Sequence, residues 1–198
     1  MRDSGMARDR RAGFSLLEMI IVVVVTLVVA AIGIPKFLTL VNVYRINDSA
    51  RRLQSIATLA HVKAAARNTR YQVSVVSGST TSYVLKYCQG NVLLTSGCTT
   101  CCATWVTDAT SATQILNGGV TFSTGSLTTA PPVASSVAQA SEMTFNSRGL
   151  LFDESANAPA DNRCWYLAGT NAKPMAVCTI LTGRTLVYQY NGVDWLQL

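Results

Sequence analysis

Gly13-Phe14-Ser15-Leu16-Leu17-Glu18-Met19-Ile20-Ile21-Val22-Val23 leads into an apolar run from Met19 to Ile34, interrupted only by Thr26 and Gly33. Wound as a helix at ~1.5 Å per residue, the stretch from Phe14 to Leu40 is long enough to cross about 30 Å of hydrocarbon. Arg2, Arg8, Arg10 and Arg11 precede it, and only Lys36 follows closely. That bias holds the N-terminus in the cytoplasm and sends the remainder across the membrane. A secretory signal would carry small residues and a cleavage site after a short apolar core. Here Ala12 and Gly13 stand before it. Glu18 lies inside the apolar stretch, where an unpaired carboxylate costs roughly 3 kcal/mol. Either it sits near the interface and snorkels, or an assembly supplies a cation.

The whole chain has 198 residues, room for one ordinary domain and an extra element. It is 49% hydrophobic and 13% charged, which excludes a disordered or collagen-like chain. The formal charge of +6 is concentrated early. Beyond the leader arginines, Lys36, Arg45, Arg51, Arg52, Lys63, Arg67 and Arg70 face Asp48 alone between residues 35 and 70, while 71–198 is nearly neutral. Whole-chain charge is therefore no argument for a nucleic-acid surface on the C-terminal part.

Basic residues, Gly13, Phe14, Glu18, the apolar run and Pro35 together resemble the N-terminus of type IV prepilins and type II secretion pseudopilins. The resemblance implies a prepilin peptidase cut between Gly13 and Phe14, N-methylation of Phe14, and a leader of residues 1–13. It also implies that Glu18, fifth in the mature chain, neutralises the N-terminal amine of a neighbouring subunit. Pro35 falls where many relatives kink the helix, in keeping with its missing ladder donor.

Helical periodicity continues past Pro35. Ile46, Ala50, Leu53, Ala57, Ala60 and Ala64 recur at alternating spacings of four and three, a narrow stripe suited to close packing. Residues 14–40 thus predict a membrane-spanning first half of one helix, and 41–70 an amphipathic second half. Arg45, Arg52, Lys63, Arg67 and Arg70 fall within about 40° of one line, roughly a quarter turn from the apolar stripe. This line is either a solvated basic face or a face that meets acidic groups of neighbouring subunits. His61, the only histidine, falls at the edge of the stripe.

From Tyr71 the period changes to about 2. Expected strands are Tyr71–Val75, Ser82–Tyr87, Val120–Ser123, Glu142–Asn146, Leu150–Asp153, Arg163–Leu167, Met175–Ile180, Thr185–Tyr190 and Val193–Leu196. Asn146-Ser147-Arg148-Gly149 and Asn191-Gly192 are turn signals. Ser123–Ser141, rich in Thr, Ser, Ala and Pro, predicts an exposed loop. The expected class is α+β: a long N-terminal helix packed on an antiparallel β-head of two short sheets, residues 71–198. The end of the helix at Ala64–Asn68, Met143–Gly149, and Gly183-Arg184 resemble the GspH/FimT group of minor pilins and pseudopilins.

The six cysteines, Cys88, Cys98, Cys101, Cys102, Cys164 and Cys178, all follow the membrane segment. A periplasmic head would oxidise them. Cys164 and Cys178 suit a pair, on two strands with a short connection. Cys88 suits one of Cys98, Cys101 and Cys102, with the other two closing a small loop. Zinc held by those four thiolates is the alternative, but neither a second CxxC nor a nearby histidine supports it.

The residues show no catalytic constellation and imply no cofactor, metal or small-molecule substrate. His61 lacks Ser and Asp partners, no phosphate loop is present, and adjacent Asp153-Glu154 would point to opposite faces of a strand. Expected partners are other pilins or pseudopilins in a filament, the prepilin peptidase, and the bacterial inner membrane before assembly. Nucleic acid is the rival. Some FimT-type minor pilins bind DNA through a Gly-Arg-x-Arg pattern, and Gly183-Arg184-Thr185-Leu186 keeps only the first arginine. One arginine neutralises few phosphates.

Overall fold

A computed structural model describes residues 15–91, 102–153 and 158–198. Helix α1 runs Leu16–Ala66 without a break at Pro35. Twelve strands follow: β1 (Tyr71–Val75), β2 (Ser82–Asn91), β3 (Cys102–Thr107), β4 (Gln114–Ile115), β5 (Val120–Phe122), β6 (Glu142–Phe145), β7 (Leu151–Asp153), β8 (Ala158–Pro159), β9 (Arg163–Gly169), β10 (Met175–Thr179), β11 (Thr185–Tyr190) and β12 (Trp195–Gln197). They form two antiparallel sheets, ordered β3-β2-β1-β6-β7-β8 with β4 on β2, and β12-β11-β10-β9-β5. The chain divides into two compact units between Leu38 and Thr39, so the second half of α1 belongs to the head.

Sequence explains where α1 stops. Asn68 takes a left-handed conformation at φ 49°, which asparagine tolerates better than most residues. Asn68 N donates to Ala65 O and Thr69 N to Ala64 O, closing a Schellman motif over the last free carbonyls. Arg70 therefore lies beyond the helix, which corrects its placement on the basic face. Its guanidinium sits 4.6 Å from the centre of the Phe152 ring, and the residue is buried.

The apolar stripe on α1 fills the core. Ile46, Ala50, Leu53, Ala57, Ala60 and Ala64 are fully buried with Tyr71, Val73, Leu85, Met143 and Phe145 of the first sheet and Trp165, Leu167, Met175 and Val177 of the second. Alanine at four of those six positions lets the backbone of α1 approach the sheets closely, and the large rings supply the volume. Asn117 ties the helix from outside, its N donating to Ser49 Oγ and its Nδ2 to Asp48 Oδ2 and Arg45 O.

The basic line on α1 is partly satisfied within the chain. Lys63 Nζ donates to the buried Asp108 Oδ2 at 2.8 Å, Arg52 pairs with Asp48 at 2.8 Å, and Arg67 donates to Tyr71 Oη. Burial alone would disfavour the charged form of Asp108. Hydrogen bonds from Lys63 and from the Thr110 hydroxyl and amide outweigh it and hold the carboxyl well below the usual carboxylate range. A depressed folded pKa stabilises the fold fully above the unfolded value, ~3.9, and the contribution fades as pH falls toward the folded one. Asp108→Asn is thus expected to cost on the order of 2 kcal/mol at pH 6, and the gap to the native chain should narrow by pH 3. Urea unfolding across that range checks both statements.

The Ser123–Ser141 segment is free of strands and about half exposed, but its apolar side chains are not left in solvent. Leu127, Val133, Ala134 and Val137 pack on the outer face of the second sheet, over Cys164, Tyr166, Ala176, Cys178, Tyr188 and Trp195. Trp195 Nε1 donates to Thr129 O, Tyr166 Oη to Ser136 O and Asn162 Nδ2 to Val133 O. The reason is the second apolar face of this sheet. Its outward-facing aromatic residues need cover, and a loop with small side chains provides it while its carbonyls accept their polar tips.

Two disulfides link Cys88 to Cys102 and Cys164 to Cys178. The second joins residues directly opposite in the β9–β10 ladder. The first joins β2 to the neighbouring edge strand β3. With Cys88 and Cys102 bonded, two of the four thiolates proposed for zinc are used. Cys98 and Cys101 lie outside the described residues.

Candidate assembly site

Ser15 O accepts the first described helical bond of α1, from Met19 N at 3.2 Å, and Glu18 sits in the first turn. A carboxylate is favoured near a helix N-terminus, but this one is flanked along the helix by apolar side chains. Every large apolar side chain from Leu16 to Leu40 is at least half exposed, and Glu18 is exposed with them. Burying such side chains yields about 1.5–3 kcal/mol each, on the order of tens of kcal/mol for the set. The helix is long and apolar enough to cross a membrane. Ion pairs among the described residues join Arg52 to Asp48, Lys63 to Asp108 and Arg163 to Asp153, and Glu18 is in none of them. A carboxylate in this setting needs a cation from outside the segment once the surrounding hydrocarbon is covered. Gly13 and Phe14, the residues of the expected cut, lie outside the described residues.

Pro35 sits inside α1 in the exposed apolar half. At the other end of the chain Arg184 is exposed, as is Arg148. Leu186, at the second position of the Gly-Arg-x-Arg pattern, is half-buried against the outer face of the second sheet. Tyr188 and Trp195, which could have stacked bases, are buried beneath the covering loop, and Tyr190 lies 5.2 Å from Trp195.

Sequence reading misses what His61 does. Its ring lies edge-on to Phe145, with centroids 6.0 Å apart. Two glycine turns close on it. Gly149, at φ 78°, ends the β6–β7 turn held by Asn146 Oδ1, which accepts from Arg148 N and Leu150 N. Gly183, at φ 83°, ends the β10–β11 turn through a bond from its N to Ile180 O. A Cβ at Gly149 would stand 2.5 Å from His61 Nε2, and one at Gly183 only 2.2 Å from Gly149 O. The Met143–Gly149 and Gly183-Arg184 stretches, far apart in sequence, therefore meet at one histidine. Leu151 N to Leu181 O, 3.0 Å, joins the two sheets at the same place.

Comparison with known proteins agrees with the N-terminal reading. Residues 8–34 match the family described as the prokaryotic N-terminal methylation motif. A search of curated proteins finds no match. Among solved structures, the type IV minor pilin FimU of Pseudomonas aeruginosa aligns at a TM-score of 0.44 and 13% identity, over 76% of this chain and 92% of that one. A methylation motif over residues 8–34 thus leads into one long helix, whose second half packs on two antiparallel sheets.

Proposed function

We propose that the chain is a minor pilin or pseudopilin, a structural subunit of a type IV pilus or a type II secretion pseudopilus. Glu18 carries the reading: an exposed carboxylate set in a half-helix whose large apolar side chains are all at least half exposed. Prepilin peptidase cuts between Gly13 and Phe14 on the cytoplasmic side, and Phe14 becomes N-methylated. Before assembly the apolar half of α1 anchors the chain in the inner membrane with the head in the periplasm. On assembly, the apolar helices bundle and bury their side chains against one another. Glu18 then meets the methylated amine of a neighbouring Phe14, so that the new cation and the carboxylate leave water together. Pro35 loosens the ladder between the two halves by removing one donor.

Mass spectrometry of the chain extracted from membranes of peptidase-competent cells tests this. A mature N-terminus at Phe14, heavier by one methyl group, is expected. An intact Met1 would remove the reading.

A further inference from the structure

Residues 71–198 are nearly neutral in sequence, but folding sorts the charges of the head. Asp48 accepts from Arg52 and Asn117, Asp108 is covered by Lys63, Glu142 accepts from Gln72, and Asp153 is paired with Arg163. Among the described residues of the head, the acids left exposed are Asp161 and Asp194. Arg45, Arg51, Arg52, Arg67, Arg148, Lys173 and Arg184 are all exposed. Four of the described carboxylates are engaged within the chain, and exposed cations outnumber exposed acids among the described residues.

Part of that cationic surface coincides with an uncovered face of α1. At 100° per residue Tyr44, Arg51, Ser55 and Val62 lie within about 40° of one line, opposite the stripe that fills the core. Tyr44 is 74% exposed, Val62 53% and nearby Leu59 39%. A shallow depression beside them is lined by Arg51, Gln54, Ser55, Thr58, Leu59 and Val62.

We propose that this face docks the head of a different pilin-like subunit, one that presents a carboxylate against Arg51 and apolar side chains against Leu59 and Val62. The proposal rests on the filament-subunit reading and adds the chemistry of the neighbour. A second copy of this chain is a poor occupant, because its exposed surface offers the same excess of arginine, and like charges brought together at an interface repel. Nucleic acid is also disfavoured: a phosphate backbone has nothing to bury exposed aliphatic side chains, which here interleave with the cation.

The test uses the full-length chain in cells that assemble the filament. A photo-crosslinking residue is placed at Val62, at Leu59, and, as a control, at the exposed Thr104 of β3. The expected product at Val62 and Leu59, absent at Thr104, joins this chain to a second methylation-motif protein through a segment rich in Asp and Glu. Arg51→Glu should lower its yield at least about fivefold. A product of twice the chain mass, a nucleic-acid adduct, or no product above the Thr104 control would overturn the proposal. The N-terminus is measured in the same sample. Methylated Phe14 without the product sinks this inference alone, whereas an unprocessed chain sinks the subunit reading with it.

Discussion

Glu18→Ala is expected to leave cleavage after Gly13 intact and to lower the amount of chain recovered in sheared filaments at least about tenfold. On the proposed reading the peptidase acts on the leader side, whereas the carboxylate acts only when helices bundle. Removing one partner of an ion pair that leaves water strands the other, at a cost of about 3–5 kcal/mol when burial is complete. Even a third of that cost is a factor of ten in an equilibrium. Glu18→Gln separates charge from shape: it keeps the volume and a hydrogen-bonding oxygen, and its effect should share the direction but be smaller. Immunoblots of membrane and sheared fractions check both. Normal incorporation of the alanine variant would show that the carboxylate is not the assembly partner.

Gly183→Ala carries the other large effect. An alanine there must hold φ near 83° and place its Cβ 2.2 Å from the backbone oxygen of Gly149. A left-handed conformation costs a side-chain residue roughly 1–2 kcal/mol. The contact adds more, because a backbone carbonyl cannot swing aside as a side-chain tip can. A loss of roughly 3 kcal/mol is expected, or about 6–12 °C in thermal midpoint. Gly192→Ala is the matched comparison. It also has positive φ, at 109°, but nothing lies within 4 Å of the added carbon, so its loss should be about 1 kcal/mol. Thermal unfolding of the two full-length variants in the same detergent measures the difference. Equal losses would mean that the Gly149–Gly183–His61 contact contributes nothing.

The parts of this molecule that were legible in the sequence are those governed by local periodicity. The alternating three- and four-residue spacing from Ile46 to Ala64 gives the buried stripe directly, because a helix repeats its faces every turn. The β6–β7 and β11–β12 hairpins are announced by Asn146–Gly149 and by Asn191-Gly192. Residues governed by contacts distant in sequence were not legible. His61 offers no signal of its own, since its partners come from turns about 90 and 120 residues away. Strand β3 buries Cys102 but exposes Ala103 and Thr104, so it shows no alternation to read. The covering loop reads as exposed because its composition is polar. Its burial is set by Tyr166, Tyr188 and Trp195, aromatic residues whose outward face only the sheet register reveals. The pairing of carboxylates within the chain is likewise invisible until Asp108 meets Lys63 and Asp153 meets Arg163. At the assembly site the residue types were legible, because a lone carboxylate in hydrocarbon is conspicuous in one dimension. On the proposed reading its cation lies on another molecule.

A filament reconstruction at side-chain resolution addresses that pairing most directly. The account predicts the Glu18 carboxylate within hydrogen-bonding distance of a neighbouring subunit's N-terminal amine, inside a bundle that covers Leu16 to Leu40. A carboxylate facing solvent in the assembled filament, or an N-terminal amine paired elsewhere, would contradict it.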